Sequence, residues 1–222
     1  MKQLLSYTFF VLATCAMPTD SFAYQPMSKT RPDTRHIESQ IENGSQPELD
    51  QVWERSFNNE VLQYINEMRK DPKAFYHKYV PEYIKNHPDR FTDQYTRSLK
   101  KTMLSSGPLP LFETASALEQ CARLQYRYLS QFGGRRLTHE QGAISFAARM
   151  KKAGLHCLAE NLYDADKAKA LNVVLDLLID QHVPSFGHRL NLMNPIYTSI
   201  GIVSGTPAGG RTIVVMDFGC KN

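Results

Sequence analysis

Two short runs near the end of the chain limit its fold more than anything before them. Ser199-Ile200-Gly201-Ile202-Val203 and Thr212-Ile213-Val214-Val215-Met216 are β-branched and apolar. A Gly/Pro-rich stretch, Ser204 to Gly210, separates them, so they read as paired strands. Leu158-Ala159-Glu160-Asn161-Leu162 reads as a further short strand. The chain before them carries helical periodicity. Phe57, Val61, Ile65 and Met68 keep helical spacing after a cap at Ser56 or Asn58, and Asp71-Pro72 ends that helix. A second helix follows from about Thr114 or Ser116, where Ser116 and Glu119 have capping-box spacing, and stops at Gly133-Gly134. A third covers roughly Gly142 to Lys152. A fourth runs from about Asp164 to Asp180, apolar on two sides through Leu171, Leu175 and Leu178 against Val173 and Leu177. Helices first and strands last, with little alternation, predict an α+β fold with a small antiparallel sheet packed on helices. Residues 73–106, interrupted by Pro81 and Pro88, resist placement.

The N-terminus reads differently. Lys2, the apolar run Leu4 to Met17 and the small residue Ala23 have the order of a secretion signal, residues 1–23, cut after Ala23. The run is too short to span a bilayer, and no other segment is as long and apolar, so no transmembrane segment is expected in the mature chain. Residues 24–52 are polar and read as a flexible linker, which leaves one domain over 53–222. The formal charge is only +4 and the 26 basic residues are scattered, so nothing suggests a nucleic-acid partner. Three cysteines follow the signal, Cys121, Cys157 and Cys220, which allows one bridge; Cys157 with Cys220 is favoured because both adjoin predicted strands.

The residues suited to chemistry stand in odd surroundings. His139 lies in Leu137-Thr138-His139-Glu140, the loop after the second helix. Glu160 interrupts an otherwise apolar strand, where an unpaired charge is costly. Asp180 closes the fourth helix, and His188 follows in Phe186-Gly187-His188-Arg189, where Gly187 is expected to ease the turn. Two imidazoles and two carboxylates suit either a divalent cation such as Zn²⁺ or a metal-free hydrogen-bonded network. His139-Glu140-Gln141-Gly142-Ala143 is not a zinc-protease helix, because Ala143 stands where a second histidine is required. No convincing nucleophile appears. Arg189 is expected to pair with an acid across its loop.

Several segments together, in order, carry a resemblance: YINEMRKDPKAF, GPLPLFETASALEQCA, LTHE, AENL, VLDLLIDQHVPSFGHRLNLMNP and SIGI. From about residue 57 onward the chain resembles the CAP superfamily, also called SCP-like, in its bacterial branch. The resemblance implies a three-layer α-β-α sandwich and a cleft holding two histidines and two acids. His139 and His188 match the histidines and Glu160 matches one acid. Asp180 stands where the family has a glutamate, Ala159 where it has glycine and Leu177 where it has tryptophan. The shorter Asp180 is expected to need the backbone or a water to reach its partner. The resemblance further implies a secreted or periplasmic binding or effector protein, a divalent cation (zinc first) held by His139 and His188, and a lipid or protein ligand. A metal-assisted or His-acid hydrolase, peptidase-like, is the competing class.

Overall fold

A computed structural model describes residues 46–134, 136–151, 156–207 and 210–220. The expected signal and most of the linker lie outside them, as does the side chain of Cys157 and with it the pairing to Cys220. The sheet has the order β1-β3-β4-β2, with β1 at Glu113–Thr114, β2 at His156–Ala165, β3 at Ser199–Gly205 and β4 at Thr212–Cys220. β4 runs antiparallel to both neighbours, β3 and β2. The sheet is mixed rather than wholly antiparallel, because the two-residue β1 pairs in parallel with β3.

Helices cover both faces, giving an α+β fold with three layers. On one side lies α4 (Ser116–Ser130), against β3 and β4. On the other lie α1 (Gln46–Lys70) and α6 (Ala170–Ile179), with α2 (Pro72–Lys85), α3 (Asp93–Ser105) and α7 (Gly187–Met193) completing that layer; the short α5 (Phe146–Met150) sits beside α4. Alternation along β4 feeds both cores. Ile213 and Val215 pack with Ala122 and Leu129, while Val214, Met216 and Phe218 pack with the α1/α6 layer. A strand covered on both faces is apolar at nearly every position, and all of β4 is buried. α6 is likewise buried on both sides, through Val173, Val174, Leu175, Leu177 and Leu178.

Gly201 sets the spacing of the α4 layer. A Cβ there would lie 2.2 Å from the backbone nitrogen of Glu119 and 2.3 Å from the carbonyl carbon of Leu118. Only a residue without a side chain lets the first turn of α4 rest on β3.

Several boundaries differ from the sequence reading, each for a local reason. α1 starts at Gln46, with Pro47 at a position where its absent N–H costs nothing, so part of the expected linker is helical. Ser56 and Asn58 therefore lie inside the helix. Asn58 instead donates to the Ile202 carbonyl (3.1 Å) and accepts from Ser204 Oγ (2.6 Å), tying α1 to β3. Residues 72–85 are helical despite Pro81, and 93–105, which hold no proline, form a second helix after Pro88. Asp71 caps Ala74 N at 3.0 Å, and α2 tolerates Pro81 while Phe75, Tyr76, Val80 and Tyr83 are buried along it. The capping box of α4 does not form, since Ala115 is the cap. The third helix shrinks to Phe146–Met150, because Gly142 is left-handed and Ser145 caps Ala148 N. β2 extends to Ala165, and α6 begins only at Ala170 after the left-handed Lys167. No helix of the described residues is long and apolar enough to cross a membrane.

Candidate functional site

Glu160 and Asp217 are directly opposite across the β2–β4 ladder, on the face that α4 covers. Both side chains are buried, and Asp217 is fully so. Glu160 Oε1 lies 2.7 Å from Nδ1 of His139, whose ring, carried on the loop after α4, is half exposed. A carboxylate there accepts the Nδ1–H, which leaves Nε2 with its lone pair outward in the neutral ring. α5 brings in a single cation. Arg149 Nη2 lies 2.8 Å from Glu160 Oε2 and donates to the His139 carbonyl at 3.1 Å, while Nη1 lies 3.7 Å from Asp217 Oδ2.

One guanidinium faces two buried carboxyl groups, so full ionisation would leave a negative charge out of water. With both acids charged, neither oxygen of Asp217 has a donor. Burial, and after it the charge of Glu160, pushes the Asp217 carboxyl up to about 9, against the pull of Arg149. Both effects favour the neutral acid over the anion at this position. The native state therefore keeps a proton that the unfolded chain releases above the ordinary value of 3.8. Stability from that proton is complete below this value and is lost as pH rises toward the folded one. Asp217→Asn removes the dependence. Denaturant titrations at pH 5 and pH 8.5 are expected to show the variant gaining on the parent chain by more than about 1 kcal/mol across that interval. An unchanged difference would mean that Asp217 is ionised throughout.

Asp180 ends α6 in the left-handed conformation, φ 60°, and this turns its side chain toward the next helix. Its Oδ1 lies 2.6 Å from Nδ1 of His188, and Oδ2 accepts from the backbone N–H of His188 (3.0 Å) and Arg189 (3.3 Å). The short carboxylate reaches the ring directly, with no bridging atom. The left-handed turn before α7 is made by Phe186, φ 52°, and not by Gly187. Arg189 does not take up the expected acid partner through its guanidinium. It is buried and donates to the carbonyls of Leu178 (2.6 Å) and Ile179 (2.9 Å) and to Ser98 Oγ (2.9 Å). Burial lowers its guanidinium to about 10.

Two asparagines join the pairs. Asn161, next to Glu160, donates to the His188 carbonyl at 3.1 Å, and Asn191 of α7 donates to Asn161 Oδ1 at 2.8 Å. His188 lines a cleft of about 320 Å³ with Leu137, Leu162, Tyr163, Leu177 and His182. Leu137 stands two residues before His139. Asp176 forms part of the wall and accepts from Tyr83 and Tyr163 (both 2.8 Å) and Arg90 (2.6 Å). Burial and this carboxylate raise both tyrosine hydroxyls well above their ordinary range. The four residues expected from the sequence thus form two imidazole–carboxylate pairs. Asp217 and Arg149, which complete the first, were not among them. The available signal was an acid within an apolar strand, the pattern that marked Glu160. Among the described residues no group of three or more His, Cys, Asp or Glu side chains is arranged to hold a metal.

The architecture is that of a helix-covered mixed sheet with two histidines, each set by a buried carboxylate. No protein-family model matches the sequence, and no curated protein matches it. Among solved structures, the chain is similar to an outer surface protein from Borrelia burgdorferi, with 22% identity over 58% of this chain and 90% of that one, at a TM-score of 0.43. It is also similar to an extracellular protein containing a SCP domain from Bacillus anthracis str. Ames, with 18% identity over 51% of this chain and a TM-score of 0.41. It spans 35% of that second protein's length.

Proposed function

We infer that this is an extracellular CAP-like binding protein, secreted or periplasmic, whose ligand-contacting groups are the imidazoles of His139 and His188. The observation that carries the reading is the shared geometry of the two pairs: each ring gives Nδ1 to a buried carboxylate and is left with Nε2. Such a carboxylate fixes the ring's orientation and raises its strength as a donor. The order of sequence segments that resembles the CAP superfamily supports the class, and the signal-like residues 1–23 support export.

A divalent cation, zinc first, suits two such nitrogens. The donor set does not fit a closed structural zinc, which takes four protein ligands. The reading is instead a weakly held ion with water on its other positions, for which His139 and His188 would be the protein ligands and Glu160 and Asp180 their supports. A bound ion would supply a Lewis-acidic centre there. Calorimetry with zinc at neutral pH is expected to show weak binding, reduced more than about tenfold in His139→Ala and in His188→Ala while circular dichroism stays native. No uptake by the parent chain, or equal uptake by both variants, would overturn the cation reading. A hydrolase draws on the same geometry, because an imidazole oriented by a carboxylate is the base half of such a site. Peptide hydrolysis in metal-free buffer, lost in either alanine variant, would favour it. The cleft wall of Leu137, Leu162 and Leu177 suits a ligand with an apolar portion, from a lipid or a protein.

A further inference from the structure

Asp217 is the one buried acid beside the His139 pair that the functional reading leaves unused. It is the register partner of Glu160, so the strand ladder itself sets the two carboxyl groups side by side. Its other register partner is Gly201, which brings no polar group. The charged groups facing it are Glu160 from β2 and Arg149 from α5, with His139 beyond Glu160. Arg149 gives its short contact to Glu160 and only a 3.7 Å contact to Asp217. Neither Asp217 oxygen has a hydrogen-bond partner among the described residues, and Glu160 Oε2 has none either, although both side chains are buried. A buried carboxyl group without donors is costly as an anion, and far less so as an acid that donates.

We propose that Asp217 is a positioning residue for His139: its protonated carboxyl group donates to Glu160 and holds that carboxylate so that Oε1 faces Nδ1 of the ring. The three side chains then form a relay, from a buried acid through a buried carboxylate to a half-exposed imidazole. Asp217 acts only through Glu160, and its effect on the ring is to select the tautomer with hydrogen on Nδ1. The proposal concerns the ligand-free chain, so it stands or falls separately from cation binding.

The test uses the whole chain and two variants. Asp217→Asn keeps a donor toward Glu160, and Asp217→Val keeps the volume without one. Infrared spectra at neutral pH are expected to contain a protonated carboxylic acid band that Asp217→Asn removes. Nitrogen-15 spectra of the histidine rings are expected to show His139 with hydrogen on Nδ1 in the parent chain and in Asp217→Asn. In Asp217→Val that tautomer should give way to a mixture. The proposal is overturned if the parent chain lacks the acid band, since Asp217 would then be ionised. It is equally overturned if folded Asp217→Val keeps the Nδ1–H tautomer, because packing alone would then explain the residue. Should Asp217→Val fail to fold, Asp217→Ala, which also lacks a donor, takes its place in the nitrogen-15 comparison with the same two outcomes.

Discussion

Arg149→Leu is expected to cost about 3–5 kcal/mol of folding stability, measured by urea denaturation near neutral pH. The guanidinium is 2% exposed and is the cation that the described structure places between Glu160 and Asp217. Leucine fills much of the volume, but it leaves Glu160 as a buried charge with no counter-ion. It also removes the 3.1 Å bond that holds the His139 carbonyl. The cost has an electrostatic origin, so a second substitution should relieve it. Arg149→Leu combined with Glu160→Gln is expected to recover a large part of the loss, giving a coupling well above the few tenths of a kcal/mol found for independent sites. Additive losses would show that packing around α5, and not the ion contact, is what Arg149 supplies.

Gly201→Ala is the second large effect, expected at or above about 3 kcal/mol. The added methyl would meet backbone atoms, with Glu119 N at 2.2 Å and Leu118 C at 2.3 Å, and backbone cannot rotate away as a side chain can. Either the first turn of α4 lifts from β3 or the strand moves, and both open the core around Leu118 and Ala122. Gly107→Ala is the matched control. Nothing lies within 4 Å of a Cβ there, so its effect should stay within about 0.5 kcal/mol. Thermal melts of the two variants side by side check this, and a Gly201→Ala chain as stable as the control would refute the close-approach account.

The α+β class was legible in the sequence, because it depends on alternation, whereas the three layers came only from the resemblance to the CAP superfamily. The two late strands and the acid within Leu158–Leu162 are local signals, and they led to the β3–β4 pairing and to Glu160. Asp217 carries the same signal in Val214-Val215-Met216-Asp217-Phe218, but reading the strand as ending at Met216 put the acid outside it. Its role rests on a register with Glu160, far earlier in the chain, and register is a tertiary fact. The helix at 72–85 was hidden by Pro81, a strong local signal that the buried Phe75, Val80 and Tyr83 override, while 93–105 holds no proline and buries Tyr95, Leu99 and Met103 at helical spacing. Gly187 and Phe186 show the reverse failure. Glycine is the residue best suited to a left-handed turn, yet Phe186 adopts it, with its ring against Tyr95 (5.6 Å between centroids) and Arg189 (4.4 Å).

The short helix that carries His188 constrains how the chain acquires its shape. Seven residues are too few to hold a helix in water, so α7 exists only where other segments hold it. Arg69 does so at one end, donating to the carbonyls of Leu192 (2.7 Å), Asn194 (3.1 Å) and Tyr197 (2.9 Å) from 123 or more positions earlier in the chain. Arg189 does so at the other, reaching Ser98, 91 positions back. Such long loops must close before these bonds return any free energy, and that closure is the slow part of folding in chains rich in distant contacts. A nascent chain could therefore complete α1 to α4 and still have no ordered imidazole at position 188. The ring acquires its place only when the last third of the chain has returned to the first.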